Sequence, residues 1–171
     1  MQETTGVPLD AETKVAERPA DHETELRLWL RLLTCTTLIE GEVRRRLRQE
    51  FDVTLPRFDL MAQLDKAPGG MTLGELSQRM MVSNGNVTGL TERLVALGLL
   101  DRRQSRSDRR AQLVSLTPEG RRVFRVMARA HEGWIAQIFS QLSPADMDSL
   151  MRLLARTKTS ARAAMSGEQQ R

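Results

Sequence analysis

Five arginines, Arg102, Arg103, Arg106, Arg109 and Arg110, fall between Asp101 and Arg110, with only Asp101 and Asp108 to offset them. A guanidinium is planar, permanently charged and presents its N–H donors as a fixed fork, so such a cluster suits bidentate hydrogen bonding to phosphate. A second set lies upstream, where Asn84, Asn86 and Thr88 are interleaved with Gly85 and Gly89. An Asn amide donates and accepts together, the pattern that an adenine edge presents in a major groove. Glycine removes the side chain that would hold two surfaces apart. Other chemistries lack their residues. His22 and His131 are far apart and Cys35 is the sole cysteine, so no thiolate cluster or intramolecular disulfide can form. No nucleophile–base pair or phosphate-binding glycine loop stands out; Gly69-Gly70 reads as a turn, and Gly85 and Gly89 read as helical. No catalytic residue, metal ligand or cofactor is expected, and the chain is not expected to be an enzyme.

The elements that must position these residues follow from the apolar period. A long helix is expected over Thr24 to Phe51, with one stripe at Leu28, Leu32, Cys35, Ile39, Val43 and Leu47 and another at Leu26, Leu30 and Leu33. One face suffices to bury a helix in its own domain, so the surplus face calls for a partner chain. Pro56 suits the first turn of a helix carrying Phe58, Met61 and Leu64. Thr72 and Glu75 have capping-box spacing and open a helix that buries Leu73, Leu76 and Met80. After a short turn at Met81-Val82, Ser83 caps a helix with Val87, Leu90 and Leu94 inward and Asn84, Gly85, Thr88, Gly89 and Glu92 outward. Gly98 ends it. The period then becomes extended over Leu99 to Arg103 and Ala111 to Leu116, a hairpin whose loop carries the central arginines. Thr117-Pro118 and Ser143-Pro144 open two further helices, with stripes at Val123, Met127, Ala130, Trp134 and Ile138, and at Met147, Leu150 and Leu154.

The predicted fold is mainly α with a small β-hairpin wing, a winged helix-turn-helix dimerised through its N- and C-terminal helices. In this arrangement the second helix of the pair enters the major groove, and a basic hairpin tip suits a narrow minor groove. The expected organisation is a flexible acidic tail over 1–22, a single domain over 23–165 and a polar tail over 166–171. Within the domain, the winged core spans about 54–117 and the dimerisation helices about 24–51 and 118–162. The chain of 171 residues is 40% hydrophobic and 28% charged, and it has no apolar run long enough to span a membrane. Residues 1–25 carry −5, so the remainder carries +9 of the chain's net +4. Charge alone leaves open a basic surface with no partner. The N-terminus lacks a basic-then-apolar signal pattern, and a cytoplasmic location is expected.

The chain resembles the MarR family of regulators over about Leu26 to Leu154. The resemblance is carried by Met71–Ser77 (MTLGELS), Ser83–Leu94 (SNGNVTGLTERL), Asp108-Arg109-Arg110 and Val114–Arg121 (VSLTPEGR). It implies a dimer formed by the first and last helices, with two winged lobes on palindromic double-stranded DNA. It also implies that the closing Asp-x-Arg of the family's wing motif falls on Asp108 and Arg110. Gln104 and Gly89 depart from the family's usual charged and larger polar residues. The candidate DNA contacts are Ser83, Asn84, Asn86, Thr88, Gly89, Arg103, Arg106, Arg109 and Arg110. Arg106 is the candidate for minor-groove insertion, and Asp108 supports Arg110.

Candidate dimer residues are Leu26, Leu30, Met147, Leu150 and Leu154. A dimer on a promoter blocks polymerase without further machinery, so repression is expected, and the resemblance further implies release by a small-molecule effector, here a small aromatic acid or aromatic acyl-CoA. Its candidate contacts are Trp29, Arg46, Phe58, Met61 and Trp134, with Arg31 also available. Two alternatives remain. One is redox sensing through Cys35, although its register with Leu28, Leu32 and Ile39 predicts a buried thiol and no Tyr is present. The other is a winged-helix protein-interaction module, which the +3 wing disfavours.

Overall fold

A computed structural model of the chain describes residues 24–104 and 112–168. The acidic segment 1–22, Arg106, Asp108, Arg109 and Arg110 lie outside the described residues. The chain divides into two compact units, Met1–His131 and Glu132–Arg171.

In the first unit, α1 (Thr24–Phe51) has the expected bounds. Its C-terminal half is held by local ion pairs, Arg44 with Glu40 and both Arg45 and Arg46 with Glu42. The Arg45 and Arg46 guanidiniums hold the Glu42 carboxyl down at about 2. Of the expected stripe only Val43 and Leu47 are buried, while Leu28 and Cys35 are exposed. The predicted burial of Cys35 is therefore not met within this chain. The helix runs on beyond the part whose apolar side chains the rest of the chain covers.

Helix α2 (Leu55–Asp65), with Pro56 in its first turn, puts Phe58, Leu60, Met61 and Leu64 into the core. A two-residue strand β1 (Met71–Thr72) follows, which the sequence does not announce because two residues are too few to show an alternating period. Helix α3 (Leu73–Met80) opens with the expected capping box: the Glu75 amide donates to Thr72 Oγ1 at 3.2 Å, and the Thr72 amide donates to Glu75 Oε2 at 2.7 Å. Only Leu76 is fully buried there; Leu73 and Met80 are half-buried.

Helix α4 (Asn84–Ala96) follows after the turn, then β2 (Leu100–Gln104) and β3 (Gln112–Leu116). The three strands form one antiparallel sheet in the order β1-β3-β2, with Leu100 opposite Leu116 and Gln104 opposite Gln112. The expected hairpin is thus the larger part of a three-stranded sheet, because Met71 pairs with Val114 on its other edge. Val114 and Leu116 are buried and Leu113 is not, as the alternation requires.

Helix α5 (Pro118–Ile138) starts at the base of the sheet. Thr117 is its cap: the hydroxyl accepts from the Gly120 amide at 2.9 Å and donates to the Gly98 carbonyl at 2.8 Å. Gly120 is buried so closely against the Leu99 carbonyl that a Cβ would lie 2.0 Å from that oxygen. The side chain α5 presents to the core in its second turn is Phe124, one position on from the expected Val123, followed by Met127. Met127 is buried as the spacing read from sequence expects, so Phe124 is a local departure from that stripe at the end nearest the sheet.

The second unit holds the end of α5, where Trp134 is buried, and α6 (Pro144–Glu168). Ser143 caps α6: its Oγ accepts from the Asp146 amide at 3.2 Å, and its own amide and hydroxyl donate to Asp146 Oδ2 at 3.1 and 2.6 Å. The helix runs to Glu168, past the expected end of the dimerisation segment at about 162, first through Ala163, Ala164 and Met165, which are good helix formers. Met147, Leu150 and Leu154, expected to be buried, are exposed in this chain, as are Met151 and Leu153. Among the described residues no helix is long and apolar enough to cross a membrane.

Candidate nucleic-acid interface

The helix pair is joined by a tight turn. Met81 takes a left-handed conformation (φ 54°) with its side chain 92% exposed, and the Ser77 hydroxyl donates to the Val82 carbonyl at 2.6 Å, locking the turn from inside. Ser83 then caps α4, its Oγ accepting from the Asn86 amide at 3.4 Å. Capping uses one of the two lone pairs of the Ser83 hydroxyl. The inward face of α4 is Val87, Thr91 and Leu94, with Leu90 only half-buried. Thr91 takes the place expected for Leu90, which instead borders an exterior groove. This shifts the outward face toward Asn84, Gly85, Asn86, Gly89 and Glu92, all exposed. Thr88 is half-buried and its hydroxyl donates to the Asn84 carbonyl at 2.9 Å.

That face opens onto a groove of about 350 Å³ lined by Pro56, Val82, Gly85, Asn86, Gly89, Leu90 and Arg93. A Cβ added at Gly85 or Gly89 would meet nothing within 4 Å. Both glycines are therefore free of any packing demand from the described chain. A helical Gly costs about 1 kcal/mol relative to Ala, so two of them carry a cost that nothing in the fold explains.

The wing's two described arginines differ: one is tied to the fold and the other is shielded without a partner among the described residues. Arg103, exposed, donates Nη2 to the Gly69 carbonyl at 2.5 Å, tying β2 to the turn before β1. Arg102 is half-buried, and its Nε and Nη2 are shielded without a hydrogen-bond partner among the described residues. The Arg103 tie joins residues 34 apart in sequence, a contact that spacing alone does not reveal.

The expected effector residues are dispersed in character. Phe58 and Met61 are core side chains, the Phe58 ring lying 5.5 Å from that of Phe124 and 5.0 Å from that of His131. Trp29 is exposed on α1, Arg46 is paired with Glu42 at 2.6 Å, and Trp134 is buried. A further ion pair that sequence reasoning missed joins Arg121 to Asp65 at 3.2 Å, across 56 residues. Among the described residues no group of three or more His, Cys, Asp or Glu could hold a metal ion.

A capped helix pair joined by a locked turn, followed by a β-hairpin and a helix packed at its base, defines a winged helix-turn-helix protein. Residues 51–111 match the sequence profile of the MarR family. The chain is 32% identical over 139 residues to the transcriptional activatory protein BadR of Rhodopseudomonas palustris, covering 76% of this chain and 79% of that protein. Its fold is similar to that of a MarR family transcriptional regulator from Silicibacter pomeroyi, with a TM-score of 0.68 and 33% identity over 80% of this chain and 94% of that one. It is also similar in fold to Sco3205, a MarR family regulator from Streptomyces coelicolor solved in complex with DNA. There the TM-score is 0.68 and the identity 24%, covering 77% of this chain and 83% of that one. The chain belongs to the MarR family of transcriptional regulators, a family of regulators and not of enzymes.

Proposed function

We propose that the chain is a homodimeric regulator that binds a palindromic double-stranded operator through α4 and the wing. The observation that carries this is the pair of glycines on the exposed face of α4, flanked by Asn84 and Asn86 and free of any packing partner among the described residues. Their cost is offset if the helix backbone must approach a DNA surface closely. Ser83, Asn84, Asn86, Thr88 and Gly89 then meet the major groove, where the N-terminal end of the helix also favours phosphate. Because Arg103 is tied to Gly69, the wing's contact with DNA falls chiefly to Arg106, Arg109 and Arg110, with Asp108 supporting Arg110. The DNA complex of the Streptomyces relative supports the same use of this fold.

Dimerisation through α1 and α6 is supported by the exposed leucines of α1, Leu26 among them, and the exposed leucines and methionines of α6, including Met147, Leu150 and Leu154, with the half-buried Leu30 beside Leu26. Apolar rows of this extent are unfavourable in water unless a partner covers them. A second copy would set two recognition helices about 34 Å apart, one DNA turn. A dimer on a promoter excludes polymerase without further machinery, so the regulation is read as repression relieved by a small aromatic acid or aromatic acyl-CoA. Trp29, Arg46, Phe58, Met61 and Trp134 are the effector contacts in this reading, and because Phe58 and Met61 are in the core, a ligand that reaches them must displace packing around α2. Activation is a second reading, favoured by the activatory name of the Rhodopseudomonas relative.

The test is a titration of the protein onto the DNA upstream of its own gene, at several salt concentrations, with and without a panel of aromatic acids and their CoA thioesters. Tight binding that weakens steeply with salt and is released by a panel compound supports the reading. Binding that no compound releases removes the aromatic effector, and absence of binding at any salt concentration removes the regulator reading. A reporter driven by the bound promoter separates repression from activation.

A further inference from the structure

Helix α5 carries Arg121, Arg122, Arg125 and Arg129 along its first three turns, beside an open groove of about 560 Å³ whose apolar wall is Leu116, Pro118 and the half-exposed Val126. Two of these cations are satisfied, Arg121 by Asp65 and Arg122 by Glu119. Arg125 and Arg129 are exposed and have no ion pair among the described residues. Side chains four apart on a helix are neighbours, so these like charges repel each other without compensation by an ion pair among the described residues. An anion bridging them would turn that repulsion into binding.

Placement argues that this anion is not the operator. Gly120 packs on the Leu99 carbonyl and Thr117 binds Gly98, so α5 begins at the C-terminal end of α4. The thirteen residues of α4 put that end about 20 Å from Asn84. The five residues of β3 put Leu116 about 17 Å from the loop end of the wing. The groove therefore sits at the far end of both DNA-reading elements. The junction it borders is also where α4, the wing and α5 meet, so a ligand there bears on the setting of the recognition helix against the wing.

We propose that this groove binds an organic phosphate carrying at least two negative charges, its phosphates on Arg125 and Arg129 and its apolar part against Leu116, Pro118 and Val126. Two adjacent guanidinium forks match a diphosphate in charge and geometry. Binding of the ligand is independent of the regulator reading; its effect on DNA affinity rests on that reading.

The test is calorimetric titration of the full chain with adenosine diphosphate and with inorganic pyrophosphate at constant ionic strength, using sodium sulfate as the control anion. DNA affinity is measured in parallel for the same proteins. The expected result is saturable binding of adenosine diphosphate, weaker binding of pyrophosphate and none of sulfate. In the Arg125→Gln/Arg129→Gln double variant the Kd for adenosine diphosphate rises at least ~tenfold, because charge-assisted hydrogen bonds are removed, while ligand-free DNA affinity stays within about twofold, as expected for rim charges remote from the DNA. Equal binding of sulfate, no saturable binding, or unchanged binding by the double variant overturns the site. A double variant that loses DNA affinity as wild type does on raising salt shows that the arginines touch DNA and also overturns it. Ligand binding by a protein that binds no DNA leaves the site standing and removes the regulator reading instead.

Discussion

Replacing Gly89 with alanine separates stability from recognition at one position. Gly89 lies within α4, and its added Cβ meets no atom within 4 Å. The free chain therefore gains the helix propensity of Ala over Gly, about 1 kcal/mol, at no steric cost. For a chain of this size that gain raises the Tm by about 2–4 °C. In the proposed complex the same methyl stands between the backbone of α4 and the DNA, and the variant is expected to bind at least ~tenfold more weakly, about 1.4 kcal/mol. Gly89→Leu extends the series, with binding abolished at every accessible concentration. Thermal melts and fluorescence anisotropy on one operator fragment measure the two effects on the same preparation. A Gly89→Ala protein that is stabilised and binds DNA as tightly as the parent refutes the close-approach argument. One that is destabilised refutes the claim that the space is open.

Gly120 is the opposite case, because a Cβ there would sit 2.0 Å from the Leu99 carbonyl oxygen. Gly120→Ala is expected to cost about 1–3 kcal/mol or more as overpacking, seen as a lower denaturation midpoint with no change in the slope of the transition. Arg106→Ala and Arg110→Ala each should lower the magnitude of the salt slope of DNA binding by about 0.9 for every phosphate that is no longer neutralised, and an unchanged slope together with unchanged affinity would remove the wing from the interface. The capping carboxyls Glu75 and Asp146 are held below their ordinary values of 4.5 and 3.8, chiefly by hydrogen bonds from Thr72 and from Ser143 respectively. Their contribution is therefore complete above those values and is lost as the pH falls through the lower folded-state values. The acid limb of a Tm–pH curve should flatten below about pH 4.5 in the Glu75→Gln/Asp146→Asn variant, and an unaltered limb would show that the caps carry none of the acid sensitivity.

The helix starts are the most legible part of the sequence, because caps are local. Thr72 with Glu75, Ser83, Thr117-Pro118 and Ser143-Pro144 each announce a helix through residues within four positions, and α1 has both of its expected ends. Long-range packing is less legible. Phe124 in place of Val123, and Thr91 in place of Leu90, are single departures from stripes that otherwise hold at Met127, Val87 and Leu94, and each depends on what the helix packs against. The close approach of Gly120 to Leu99 cannot be read from either residue alone. At the candidate interface, Asn84, Asn86, Gly85 and Gly89 are legible because an exposed glycine pair in a helix is a local anomaly. The engagement of Arg103 with Gly69 is not, since composition counts a charge without saying where its hydrogen bonds go. Cys35 shows the reverse error: its register with a leucine stripe points to burial, but the stripe outlasts the part of the chain available to cover it.

Selection of binding sites from random-sequence duplex DNA, using the full chain, tests sequence-specific recognition by a dimer most directly. The expected result is an enriched, nearly palindromic site whose half-sites are centred about 10 base pairs apart, the spacing of two recognition helices on one face of the duplex. The same selection with the Asn84→Ala/Asn86→Ala protein should lose enrichment at the positions these side chains read. Enrichment of no sequence by the wild-type protein, or of a single unrepeated half-site, would contradict the account.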